Sequence, residues 1–258
     1  MASGGRRLDQ LLLARGLARS RTRAQRLIRH GRVRLADRGR VLTRPGEKLA
    51  EDARLAVDDD PEERYVSRAG LKLEALLSAL GLDLGDALVL DVGQSTGGFT
   101  DCALAHGARH VIGVEVGHDQ LDPSLRADPR VTCLEGLNAR AMADDARLRA
   151  ALSAQGAAGP DIVVMDVAFI SQTLILPQVA ALLPAGGELL SLVKPQFEVG
   201  PGGVNARGLV TDPVRYREVE ETLRACCAET GLAIRHWQES PLRGGDGNRE
   251  FLLHARRQ

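Results

Sequence analysis

The 258 residues suffice for one full α/β domain and a small second module, and the longest apolar runs, at 87–92 and 188–193, are far too short to cross a bilayer. The Arg-rich N-terminus has no apolar stretch or cleavage site, which argues against a signal peptide and for a cytoplasmic protein. The formal net charge is zero but unevenly placed: residues 6–48 carry 14 Lys and Arg against 3 Asp and Glu, so a basic head precedes an acidic body and a polyanion is the expected partner of the head.

Residues 6–29 read as two short helices. The stretch RLDQLLLARGL places Leu8, Leu11, Leu12 and Arg15 on one face, and Ser20 and Gly31 are the expected N-cap and stop of the second helix. On that second helix Arg21, Arg23, Arg26 and Arg29 line one solvated surface. Residues 31–57 then alternate apolar and polar through short strands and turns, and DDDPEE at 58–63 closes the module. The pattern R-L-D at Arg7–Asp9 followed by S-R-x-x-A-x-x-L-I-x-x-G-x-V at Ser20–Val33 resembles the alpha-L RNA-binding domain, first named for a small-subunit ribosomal protein. The resemblance implies an RNA-binding α+β domain over 1–60, a linker over 61–66, and RNA contacts from Arg7, Arg19, Arg21, Arg23, Arg26 and Arg29, with Arg68 beyond the linker.

From residue 65 strands and helices alternate. A helix carrying Lys72 precedes the buried strand ALVLDVG (87–93); a helix runs to about 107; HVIGVEV and VTCLEG are the second and third strands; IVVMD ends the fourth at Asp166. A helix over 172–183, a fifth strand in GGELLSLVKP, a long helix over 213–230 and the strands LAIRHWQES and REFLLHAR complete the chain. This order predicts a mainly parallel sheet covered on both faces, with ligands outside the carboxyl ends of its strands. Cys102, Cys133, Cys226 and Cys227 show no metal-ligand spacing, so neither a disulfide nor a metal site is expected.

The loop GQSTGG (93–98) lacks both the G-x-G-x-x-G of dinucleotide sites and the G-K-[ST] of a P-loop. What remains is a strand–loop–helix with backbone donors and the hydroxyls of Ser95 and Thr96, followed about twenty residues on by Glu115, placed to take a ribose diol. An adenosine ligand without phosphates fits, S-adenosylmethionine above all; a tight turn packing a helix on a sheet is the other reading. Glu135, Leu137 and Asn138, after the third strand, are candidates to hold the adenine.

Only three of the 34 basic residues are lysines, and two of them, Lys72 and Lys194, fall where the loops converge with Asp166 and Glu250. Each alone could be a surface ion pair. The motifs YVSRAGLKLEALL, LDVGQSTGGFTDCAL, VMDVAFISQTLILP, LVKPQFEVG and SPLRGGDGNREFLLHAR resemble the hemolysin A-like (TlyA) rRNA 2′-O-methyltransferases, relatives of the FtsJ/RrmJ type. That resemblance implies a Rossmann-like class I methyltransferase over 67–258 with an antiparallel last strand. It maps a Lys-Asp-Lys-Glu tetrad onto Lys72, Asp166, Lys194 and Glu250, and a cofactor loop onto Gly93–Gly97; together with the residues around that loop the candidate cofactor set is Asp91, Gly93, Ser95, Thr96, Gly97, Gly98, Phe99, Glu115, Asn138 and Asp166. Lys194 is then the expected base for a ribose hydroxyl, Lys72 its orienting partner, and the two carboxylates hold the lysines. The expected substrate is a cytidine of ribosomal RNA in one or both subunits. Base methylation of RNA, a non-catalytic role in ribosome assembly and a membrane-active hemolysin are the alternatives.

Overall fold

The computed structural model describes residues 5–18, 20–58, 64–200 and 202–258, and the chain divides into two units between Arg64 and Tyr65. Arg19 and most of the acidic stretch after Asp58 lie outside the described residues.

In the N-terminal unit, β1 (Arg6–Arg7) leads directly into α1 (Leu8–Ala14), and α2 (Arg21–Arg29) follows. Leu8, Leu11 and Leu12, at helical spacing, are buried with Ala24, Leu27 and Ile28 of α2. The Ser20 hydroxyl accepts the Arg23 N–H at 3.2 Å, as expected of an N-cap, and Gly31 stops the helix at φ +68°. Arg15 does not join the apolar face: α1 ends at Ala14, and the exposed guanidinium donates to the carbonyls of Glu51 and Ala53. The short strands β2 (Val33–Leu35), β3 (Lys48–Leu49) and β4 (Leu55–Val57) pair antiparallel, β1 with β3 and β2 with β4.

Asp9, one residue into α1, is fully buried, and its carboxylate accepts from Arg7 (3.0 and 3.1 Å), Arg21 (3.3 Å) and Gln25 (3.0 Å). The Arg7 guanidinium beside it, more than the opposing effect of burial, holds the Asp9 carboxyl well below the usual carboxylate range. A buried charge is tolerable only when bonded in this way. It fixes two of the expected RNA-contacting arginines, while Arg21 and Arg29 remain exposed and Arg23 and Arg26 are half-buried.

The second unit opens with Tyr65, buried in its core two residues ahead of the expected start. Its elements are α3 (Ala69–Leu80), β5 (Leu88–Val92), α4 (Gly98–Ala105), β6 (His110–Glu115), α5 (Pro123–Arg126), β7 (Val131–Glu135), α6 (Ala146–Ala154), β8 (Ile162–Met165), α7 (Leu176–Leu182), β9 (Glu188–Val193), α8 (Pro213–Glu229), β10 (Leu232–Glu239) and β11 (Phe251–Arg257). The seven strands lie in the order β10-β11-β9-β8-β5-β6-β7, with β5 to β9 parallel and β11 antiparallel to both neighbours. Period-two alternation separates two cores: Leu88, Leu90 and Val92 face one, Val89 faces the other with Leu190 and Leu192. Every residue of β5, β6 and β8 is buried, which is why these strands read as unbroken apolar runs.

One helical expectation differs from the structure. The helix expected over 172–183 is broken into a 3-10 turn (Gln172–Leu174) and α7, because Pro177 has no N–H to continue the ladder. The helix α6 over Ala146–Ala154, not expected from the sequence, has a mixed polar composition and an Asp145 cap. The chain runs outward from β5 to β7 and then returns to β8 on the other side of β5, so strand order reverses between β5 and β8. Crevices at such reversals hold ligands.

Candidate active site

At that reversal a cavity of about 860 Å³ opens at the carboxyl ends of the parallel strands. Gly93, Ser95, Glu115, Asn138, Asp166 and Lys194 line it, drawn from the ends of β5, β6, β7, β8 and β9. Gly93 is required by geometry. Its φ is +84°, and a Cβ there would stand 2.7 Å from the Asp166 carbonyl oxygen, so only glycine lets the loop and the end of β8 approach.

The other loop residues divide by direction. Thr96 is exposed outside the cavity wall, and Gly97, at φ +93°, packs under Leu121 and Leu125. Gly98 and Phe99 begin α4 and turn towards α3: a Cβ on Gly98 would meet the Ser67 hydroxyl at 2.1 Å, and Phe99 is 3% exposed in the core. Their place is therefore in helix packing, where the close α3–α4 contact fixes the helix that carries Lys72.

Glu115 presents its carboxylate with both oxygens steadied by backbone, Oε2 accepting the Ser95 N–H and Oε1 the Gly117 N–H, each at 2.8 Å. A carboxylate offers about four acceptor positions, so lone pairs remain for two hydroxyl donors. Leu137 and Asn138 line the cavity, whereas Glu135 is engaged by Arg126 and the Asp119 N–H. Gln120, missed from the sequence, lines the cavity and accepts from the Ser95 hydroxyl at 3.2 Å.

Asp91 lies beneath the loop, fully buried, with Oδ2 accepting from Thr100 at 2.6 Å and Oδ1 without a hydrogen-bond partner. Burial pushes its carboxyl up to about 7, against the Thr100 hydrogen bond and with help from the negative charges of Asp166 and Glu115. Between about pH 4, where an unfolded aspartate ionises, and about 7, the folded protein keeps a proton that the unfolded chain has lost. Asp91 thus stabilises the fold most below that window, and the contribution is lost as pH rises through it, at about 1.4 kcal/mol per pH unit. Urea unfolding from pH 4.5 to 7.5 is expected to show a steeper decline for wild type than for Asp91→Asn; parallel declines would contradict the assignment.

The tetrad comes together as two ion pairs. Lys194, immediately after β9, places Nζ 2.6 Å from Asp166 Oδ1 at the end of β8. Lys72, in the first turn of α3, pairs with Glu250, both almost fully buried. Because Phe251 pairs with Val193 in the antiparallel register, Glu250 falls level with Lys194. Burial pushes the Glu250 carboxyl up against the pull of Lys72; it also senses Lys194 and Asp166, so the pairs form one electrostatic cluster.

Three further residues shape this edge. Asn248, 2% exposed, donates to the Gly208 carbonyl (2.9 Å), accepts the Val210 N–H (3.0 Å) and donates its own N–H to Asp246 (3.0 Å), tying the loop at 205–210 to the approach to Glu250. Phe169 is 91% exposed at φ +63° on the cavity wall, its ring centroid 4.9 Å from that of Phe197. Both were missed; their rarity, four phenylalanines in the chain, is the one signal the sequence offers. Among the described residues, no cluster of three His, Cys, Asp or Glu could hold a metal, and no helix is long and apolar enough to cross a membrane.

Residues 65–257 match the FtsJ-like methyltransferase family and residues 6–55 the S4 domain. The 16S/23S rRNA (cytidine-2′-O)-methyltransferase TlyA of Mycobacterium tuberculosis is 40% identical, over 98% of this chain and 90% of that protein. Hemolysin A of Brachyspira hyodysenteriae is 34% identical over 96% and 98%. A solved structure of a candidate hemolysin from Streptococcus thermophilus superposes with a TM-score of 0.72 at 37% identity, covering all of this chain and 90% of that one.

Proposed function

The chain belongs to the FtsJ-like methyltransferase family, and from that premise we propose that it transfers a methyl group from S-adenosylmethionine to the 2′-hydroxyl of a ribose, that of a cytidine, in ribosomal RNA. The observation that carries this reading is the pair of lysine–carboxylate contacts at one edge of the cavity, Lys194 with Asp166 and Lys72 with Glu250.

The residues present fit the cofactor. Glu115 offers acceptors for a ribose diol, Gly93 leaves room at the strand end, and the orphaned Asp91 Oδ1 lies beneath the loop as an acceptor for an ammonium group. Leu137 and Asn138 border the space for the adenine, and a basic phosphate-binding residue is absent from the loop, as a cofactor without phosphates requires. When bound, S-adenosylmethionine supplies an electrophilic methyl group on a sulfonium.

A ribose hydroxyl is a weak nucleophile until its proton is removed. As the free amine, Lys194 Nζ, held by Asp166, accepts that proton and becomes the ammonium. Lysine serves here and arginine does not, since a guanidinium cannot act as a base at neutral pH. Lys72, fixed by Glu250, orients the hydroxyl oxygen and stabilises its developing negative charge. Phe169 offers an exposed ring against which the target base stacks, so that most of the rate comes from alignment. The basic surface of α2, with Arg7, grips RNA phosphates, and the natural substrate is an assembled ribosomal subunit, which sets the activity in the cytoplasm.

Glu115→Ala is expected to weaken S-adenosylmethionine binding about 10- to 100-fold, the loss of hydrogen bonds to a charged acceptor, while leaving the fold intact. Calorimetric titration checks it, and an unchanged affinity would remove Glu115 from the cofactor site. The reading as a whole is tested by incubating the protein with labelled S-adenosylmethionine and ribosomal subunits from cells lacking it. Label in RNA, absent with Lys194→Ala, is expected; no label in RNA would overturn it.

A further inference from the structure

Two loops leave the tetrad side by side. One runs from Asp166 past Phe169 to the 3-10 turn at Gln172–Leu174; the other runs from Lys194 past Phe197 to Glu198. They are joined at one carboxylate. Glu198 Oε2 accepts the Ser171 hydroxyl at 2.6 Å, and Oε1 accepts the Gln172 N–H at 2.9 Å. Ser171 is two residues from Phe169, and Glu198 adjoins Phe197.

The far side of this joint is also anchored. Gln172, 1% exposed, donates to the Leu192 carbonyl and accepts from the Ser191 hydroxyl, each at 2.8 Å, binding the turn to β9. Glu198 is half-buried, and burial pushes its carboxyl up against the pull of the two hydrogen bonds it accepts. A carboxylate held in a poorly hydrated place by two donors from another loop restricts both backbones beside it. The strained backbone of Phe169, at φ +63°, persists only where its surroundings hold it.

We propose that Glu198 is a positioning residue of the reaction: by bonding Ser171 and Gln172 it holds Phe169 and Phe197 as one aromatic edge, beside Lys194 and Asp166, that receives the target nucleotide. The proposal rests on the methyl-transfer reading above. It assigns Glu198 an effect on the RNA and none on the cofactor, because its two bonds control the loops after β8 and β9 and leave Gly93 and Glu115 untouched. A carboxylate that merely stabilises the fold would affect both.

The test is a double-mutant cycle between Glu198 and Phe169, read as the KM for ribosomal subunits, kcat and the dissociation constant of S-adenosylmethionine. Glu198→Ala is expected to raise KM for the subunit about ten-fold with cofactor affinity within about two-fold; a shift of about 1 Å in aligned groups suffices for such losses. Glu198→Gln, which still accepts the Gln172 N–H, should recover most of the activity. In the Phe169→Ala background, Glu198→Ala should add less than about two-fold. Ser171→Ala, which removes one bond and leaves the carboxylate, gives the same cycle if Glu198→Ala does not fold. Additive losses, or an unchanged KM in both Glu198→Ala and Ser171→Ala, overturn the role of Glu198. Absence of methyl transfer by the wild-type chain overturns instead the reading on which it rests.

Discussion

Lys194→Ala is expected to bind S-adenosylmethionine within a few-fold of wild type and to transfer methyl groups about 10²- to 10⁴-fold more slowly. The split follows from where the side chain stands. Lys194 lines the cavity with Nζ against Asp166, and the proposed cofactor contacts, the loop after β5 and the Glu115 carboxylate, do not include it. Removing a positioned base costs the factor usual for general-base catalysis and leaves ground-state binding of the cofactor unchanged. Lys194→Arg should fare no better, since it keeps the charge and loses the capacity to accept a proton. Single-turnover methyl transfer with saturating cofactor measures the effect. Activity in Lys194→Ala near that of wild type would remove lysine from the base role.

Glu250→Ala is expected to cost about 3–5 kcal/mol of stability and all measurable activity, because the nearly buried Lys72 ammonium loses its partner. Such a loss alone would not separate a structural pair from a functional one. Replacing both partners by apolar residues does. With Lys72→Met and Glu250→Leu together, no buried charge remains, and pairs replaced in this way are often neutral or stabilising. The double variant should therefore unfold at nearly the urea concentration of wild type and still be inactive. If it transfers methyl groups at a rate near that of wild type, Lys72 and Glu250 belong to the fold and not to the reaction.

The parallel sheet was legible in the sequence because its central strands are buried on both faces, so LVLDV, HVIGVE and IVVM stand out without any alternation to decipher. Lys72 and Lys194 were legible through rarity, two of three lysines in an arginine-rich chain, and the tetrad they form with Asp166 and Glu250 through the resemblance of its motifs. The glycine loop was legible as a loop, but its pattern does not say which way each residue faces. Gly93 opens the cavity, whereas Gly98 is there because α4 must pass Ser67 and Gly70 closely. Phe169 was missed for a different reason. A phenylalanine reads as core, and nothing local marks one that stands 91% exposed on the cavity wall. The joint made by Ser171, Gln172 and Glu198 spans 26–27 residues of sequence and exists only once β8 and β9 lie side by side.

The central claim, that the methyl group goes to a ribose oxygen, is tested most directly by alkaline hydrolysis of ribosomal RNA modified by the purified protein. Alkaline cleavage needs a free 2′-hydroxyl to attack the neighbouring phosphate, so a methylated ribose leaves a gap in the ladder at its own position. A gap at one or a few cytidines, present with wild type and absent with Lys194→Ala, is the predicted result. Labelled methyl groups in the RNA with an unbroken ladder would place them on bases and contradict the account.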